Sequence, residues 1–225
     1  MQPAKAFSSS VGSKFLIAFT GWALAVFLIA HLAGNLLFVA GPAPFNEYSH
    51  KLISNPLVYV AEAGLLVVFL LHIYKTVTMF IANRAARPSR YAERTWAKRK
   101  NERSRKSLAS STMIVTGIIL ALFVVTHLLT FKFGPYYESP EGVRDLYRLQ
   151  LAVFSQPEYV VFYVIAMTLL SFHLWHGVSS AAQSLGLDNP TWTPRILVIG
   201  RALTIVLGLG FAVLPIYTFV LGMGR

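Results

Sequence analysis

Five apolar stretches, each long enough to cross a bilayer, constrain this chain more than any other feature in it. They lie at about 15–40, 57–82, 108–131, 159–182 and 196–221, and a helix needs about 20 apolar residues to span a hydrocarbon core. In lipid, only helices and closed barrels satisfy their own backbone polar groups. Stretches of this length predict an all-α membrane protein of five transmembrane helices, with residues 1–225 forming one transmembrane domain. Composition agrees. Apolar residues make up 55% of the chain and charged residues 13%, where soluble domains carry about 25% charged. A soluble globular domain is excluded. The first apolar run is longer than the roughly 7–15 residues of a signal-peptide core, so it is expected to remain as a span.

Charge sets the expected orientation. There are 20 Lys and Arg against 9 Asp and Glu, and residues 84–107 hold ten of the bases and two of the acids, +8 of the net +11. Basic loops beside spans stay on the cytoplasmic side. The loop 84–107 and the N-terminus, with Lys5 and Lys14, are therefore expected inside, and the C-terminus outside. The outer loops fit: 41–56 is neutral, with Lys51 against Glu47, and 132–158 is net −1. A basic run suggests nucleic acid in a soluble protein; between two spans it reads as topology instead, or as a dock for an acidic partner surface or anionic lipid.

Five of the six histidines lie inside spans: His31, His72, His127, His173 and His176. His50, in an outer loop, reads as solvated. One intramembrane His could simply bond a backbone carbonyl, but a His on each of four successive spans points to function, because polar groups in lipid are costly. Counted from the cytoplasmic span ends, His72 and His173 lie about 15 and 14 Å deep, and His31 and His127 about 24 and 28 Å. Two stacked bis-histidine sites are what two b-type haems require, and imidazole ligation needs no cysteine. The absence of Cys excludes disulfides, thiolate zinc sites, cysteine-held iron–sulfur clusters and covalent c-type haem. A metal-transport site would place carboxylates or thiolates beside the imidazoles; the spans offer only Glu62.

The chain also repeats itself. Thr20-Gly21-x-x-Leu24-Ala25-x-Phe27-x-x-x-His31-Leu32 matches Thr116-Gly117-x-x-Leu120-Ala121-x-Phe123-x-x-x-His127-Leu128. Ser54-x-Pro56 and Ser155-x-Pro157 stand at equal distances before His72 and His173. Spans one–two and three–four thus read as parallel repeats, which align His173, not His176, with His72. His176 aligns with Lys75. Both lie one turn nearer the cytoplasm than the ligand on the same helix face and are candidates to meet haem propionates; snorkelling is the alternative for Lys75. Gly21 and Gly117, ten residues before proposed ligands, would let a porphyrin approach closely or serve helix packing.

With these residues in place, the chain resembles the cytochrome b membrane anchors of succinate dehydrogenases and fumarate reductases, specifically the single-subunit, five-helix, di-haem cytochrome b558 group. The carrying motifs are His31-Leu-x-Gly-Asn, Phe45-Asn46-x-Tyr48, His72, His127-Leu128-x-x-Phe131 and His173-x-x-x-Gly177, with Gly186 closing the fourth span. The resemblance implies two haem b groups in a four-helix bundle beside a fifth helix. His72 and His173 would hold the haem nearer the catalytic subunits, and His31 and His127 the distal one. His176 has no counterpart in that pattern. Implied partners are an FAD flavoprotein, where dicarboxylate chemistry occurs, and an iron–sulfur protein, both on the cytoplasmic face of a prokaryotic inner membrane. Electrons would pass between the iron–sulfur subunit and a quinone, menaquinone for this type. A quinone site near the outer pair needs a carboxylate, for which Glu62 is the first candidate and Glu47 the second; a structural role is the alternative for Glu62. The gamma subunit of respiratory nitrate reductase takes its ligands from two helices, and bc-type cytochromes place two on one helix, unlike this chain. A haem-free small transporter, with the histidines as a proton or metal relay, is the alternative from another class.

Overall fold

The computed structural model describes residues 9–86, 108–187 and 189–223. Most of the basic loop 84–107 therefore lies outside the described residues. Seven α-helices are labelled here. α1 is Ser10–Leu36, α2 Pro42–Ile53, α3 Leu57–Ala85, α4 Leu108–His127, α5 Leu146–Phe154, α6 Pro157–Ser184 and α7 Thr193–Met223. Five of them, α1, α3, α4, α6 and α7, are long and apolar enough to cross a membrane. Large apolar side chains such as Leu66, Leu122, Ile165 and Leu209 lie exposed along them, as lipid-facing surfaces require.

Local chemistry sets the ends. The Ser9 hydroxyl accepts from Gly12 N–H at 3.0 Å and caps α1, supplying a partner for one of the free amides of the first turn. After α1, a short 3-10 turn, Leu37–Ala40, ends at Gly41, whose φ of 106° reverses the chain into α2. That conformation favours glycine. α4 passes at His127 into one π turn, Leu128–Lys132.

The segments 41–56 and 132–158, expected from the sequence to be loops, each hold a short helix. α2 and α5 lie at the same end of the bundle and pack on each other. Asn46 on α2 donates through Nδ2 to Asp145 Oδ1 at 2.8 Å and accepts from Tyr147 N–H at 3.0 Å. Asp145 in turn caps α5, accepting from Arg148 N–H at 2.9 Å. Phe38, Phe45 and Tyr147 are buried together there, the Phe38 and Tyr147 rings stacked at 4.3 Å. Gln150 on α5 donates to Thr218 on α7. The Ser-x-Pro repeat now has a physical meaning. Ser54 and Ser155 end α2 and α5, and Pro56 and Pro157 start the following spans, where the missing proline N–H is no loss. Each repeat is thus a span, a short helix and a second span.

Among the spans, α1 packs on α3 and α6, and α4 on α6, with a lighter contact between α3 and α4. This places α1 opposite α4, and α3 opposite α6, across a four-helix bundle. α7 lies outside it, against α6 and α1. Its glycines permit that approach. A Cβ at Gly208 would fall 1.8 Å from Ser171 Oγ, one at Gly200 2.4 Å from Val178 Cγ1, and one at Gly210 2.7 Å from Leu32 Cδ2. Arg201 lies over the Trp175 ring of α6 at 5.2 Å. Overfilling such a contact typically costs about 1–3 kcal/mol. Gly208→Val is therefore expected to lower the thermal unfolding temperature of the detergent-solubilised protein clearly, and Gly222→Val, where a Cβ meets nothing, to leave it unchanged.

Candidate functional site

The bundle interior holds four histidines at two levels. At the first, α1 and α4 present the Thr-Gly pair of the repeat to the following span of the same half. His72 Nδ1 lies 3.0 Å from Thr20 Oγ1, and His173 Nδ1 lies 3.1 Å from Thr116 Oγ1. Each hydroxyl has one proton, and each already donates it to its own helix: Thr20 to Leu16 O at 2.7 Å, Thr116 to Met113 O at 3.1 Å. The hydroxyl oxygens therefore accept, and the Nδ1 atoms of His72 and His173 carry protons. This leaves the Nε2 lone pair of each ring available to a metal, the usual division of labour in a metal-ligating imidazole. His72 and His173 stand on the diagonal helices α3 and α6.

Gly21 and Gly117 stand against these same rings. A Cβ at 21 would lie 3.2 Å from His72 Cε1, and one at 117 would lie 3.5 Å from His173 Cε1. The glycines thus seat the imidazole of the neighbouring helix, a role beyond the two weighed from the sequence.

At the second level His31 on α1 faces His127 on α4, the other diagonal pair. Their ring centroids are 5.8 Å apart and the rings are nearly perpendicular, at 88°. Two imidazoles bound to one metal from opposite sides, through bonds of about 2 Å, hold their centres roughly 6 Å apart. The repeat recurs in the support of this pair. Phe27 stacks on His31 at 5.3 Å, and Phe123 on His127 at 5.8 Å. His127 Nδ1 lies 3.2 Å from the Tyr163 hydroxyl. Asn35 donates to His31 O at 2.8 Å, and Gly34 leaves room for the Tyr48 ring, which a Cβ would approach to 2.8 Å. The His-Leu-x-Gly-Asn and Phe-Asn-x-Tyr motifs therefore meet in space. Thr20 and His31, and likewise Thr116 and His127, are eleven residues apart, so the two levels are separated by about 16 Å along the bundle.

The remaining candidates lie around this frame. His176 is half-buried one turn from His173. Lys75 is half-buried one turn from His72, its ammonium 5.9 Å from the Tyr74 ring. Glu62 forms an ion pair with Lys132, the last residue of the π turn, which joins α3 to the end of α4. Glu47 is exposed on α2 and bonded to Lys51 at 2.6 Å; the Lys51 ammonium holds its carboxyl below the ordinary range. Such a carboxylate is a poor proton reservoir at neutral pH. His50 is exposed, as expected of a solvated residue.

The donor set is selective. No group of three or more His, Cys, Asp or Glu occurs among the described residues that could hold a bare metal ion. Histidines in opposed pairs fit instead a planar group whose iron needs one axial nitrogen on each side. Thr20, Thr116, Tyr163 and Lys132 were not singled out in the sequence. Only the two threonines carried a signal, as the opening residues of the repeat at a fixed offset from His31 and His127.

Among curated proteins, the chain is similar to the succinate dehydrogenase cytochrome b558 subunit of Bacillus subtilis (strain 168), 27% identical over 187 residues that cover 81% of each chain. No family model and no solved structure matches it. The relationship expected from the motifs is thus met by a bacterial membrane subunit. In histidine-labelled protein, Thr20→Val is expected to abolish the defined Nδ1–H tautomer of His72 and leave that of His173, as read by 15N NMR.

Proposed function

We propose that this chain, a relative of the succinate dehydrogenase cytochrome b subunits, is the di-haem membrane anchor of a succinate:quinone oxidoreductase and acts as a single transmembrane domain. The observation that carries the reading is the pair of opposed histidine sites on the two diagonals of one bundle. His72 and His173 would hold one haem b, and His31 and His127 the second. Bound haem supplies one-electron redox chemistry that amino-acid side chains lack. The chain's residues bind and orient. Thr20 and Thr116 fix the imidazole tautomers, Tyr163 secures His127, and Phe27 and Phe123 wall the outer pair. Lys75 and His176 would meet propionates at the inner level by charge-assisted hydrogen bonds. Gly21 and Gly117 keep that level open to the rings and to a porphyrin edge.

The +8 loop at 84–107 supports an N-terminus on the cytoplasmic side. The FAD-bearing and iron–sulfur partners would dock at that face, and the α2/α5 end would face outward. Electrons would then pass between the iron–sulfur partner and a quinone, menaquinone by the resemblance. Glu62, paired with Lys132 beyond the outer histidines, would exchange protons with a quinone there. Glu47, exposed and held ionised by Lys51, is the weaker candidate.

A dithionite-reduced minus oxidised spectrum with haem quantitation tests the reading. Two protohaems per chain are expected in the wild type, with one lost in His173→Ala and none in His176→Ala. Loss only in His176→Ala would reassign the inner ligand, and a colourless wild type from haem-competent cells would leave the transporter alternative. In quinone kinetics on the assembled complex, Glu62→Gln is expected to lower turnover about a hundredfold, the scale of a lost proton-transfer group. Glu47→Gln is expected to change it less than twofold.

A further inference from the structure

The outer histidine His127 is followed at once by a π turn, and that turn is held from outside the bundle. Phe133 N–H donates to Leu128 O at 2.9 Å, closing the wide turn. Gly134 lets the chain leave, since a Cβ there would fall 1.9 Å from Thr130 O. Single π turns inside helices occur often at functional sites. The last carbonyls of such an end need donors, and Arg144, thirteen residues on, supplies them. Its Nη2 donates to Phe131 O at 3.0 Å and its Nη1 to Lys132 O at 3.1 Å. A cation at a helix C-terminus is also favoured by the macrodipole.

Arg144 is itself anchored. It pairs with Glu138 in an antiparallel bridge, Asp145 N–H donates to Tyr137 O at 2.8 Å, and the Asp145 side chain is tied to Asn46 and α5. The guanidinium lies 5.9 Å from the Tyr136 ring. The two carbonyls it grips belong to Phe131 and Lys132, whose side chains reach His127 and Glu62. Phe131 packs on His127 at 5.4 Å and also touches Phe154 and Tyr163. Lys132 pairs with Glu62.

We propose that Arg144 is a positioning residue for the outer site. Its fork fixes the π turn so that Phe131 sets the plane of the His127 imidazole and Lys132 reaches Glu62. The proposal rests on the di-haem reading for its consequence at the cofactor, but not for the clamp itself. The fork matters as well as the charge, because a lysine delivers one point charge where arginine presents parallel donors.

The test uses the assembled complex carrying Arg144→Gln, Arg144→Lys, or Arg148→Ala, the last altering a neighbouring arginine that lies over the Tyr137 ring. Hydrogen exchange across 128–134 reads the clamp. Low-spin haem EPR and midpoint potentials read the cofactor, with the outer signal identified as the one lost in His127→Ala. In Arg144→Gln, exchange is expected about tenfold faster, the scale of losing charge-assisted hydrogen bonds. The outer haem signal and potential should shift while the inner ones stay. Arg144→Lys should fall between Arg144→Gln and wild type, and Arg148→Ala should match wild type. Should Arg144→Gln fail to assemble, Arg144→Lys must still move the outer signal alone. Unchanged exchange in both variants overturns the clamp, and equal shifts of both haems overturn the positioning role. Faster exchange in a chain that binds fewer than two haems overturns the di-haem reading while leaving the clamp standing.

Discussion

A threonine hydroxyl has a single proton, and the orientation of His72 and His173 follows from where it goes. Thr20 and Thr116 each give it to a carbonyl one turn back on their own helix, so each oxygen can only accept from the imidazole beside it. In water such a bond would compete with solvent and set little. In a bilayer, where an unpaired polar group is costly, it selects one tautomer and one ring orientation. The glycine next to each threonine lets the ring lie close to the helix, with a Cβ coming within 3.2 Å of the ring at Gly21 and 3.5 Å at Gly117. The Thr-Gly pair in each repeat is one device for holding a neighbouring imidazole.

The spans and the pairing by depth could be read from the sequence because both depend on period and rise, which composition and spacing encode directly. The five runs predicted helices that differ from those observed mainly at their ends, with α1 starting at Ser10 and α7 running on to Met223. His31 and His127, matched by counting from the expected cytoplasmic end of each span, do face each other. What the sequence did not disclose depends on long-range contact. α2 and α5 are short and less apolar than the spans, and pack against each other through Asn46, Asp145 and Tyr147. The pairing of Glu62 with Lys132, and the grip of Arg144 on the π turn, join segments that no local pattern relates. Tyr163 reads as one aromatic among many until α6 brings its hydroxyl to His127.

The fifth helix, without a histidine, contributes through its small residues. Gly200 and Gly208 bring it against α6, which carries His173, and Gly210 admits Leu32, the residue after His31. Leu32, Leu207 and Leu214 are buried together. α7 thus backs one helix from each diagonal pair, and the Gln150–Thr218 bond ties its far end to α5.

The contacts also divide by half of the chain. Thr20 holds His72 within the first half, while Thr116 holds His173 and Tyr163 meets His127 within the second. The opposed histidines, by contrast, always come from different halves. Each helical hairpin can therefore enter the bilayer during synthesis with its own rings already aimed, before the other half exists. Joining the hairpins is then a separate, later event, carried by the packing of α1 on α6 and by the Asn46–Asp145 bond between α2 and α5.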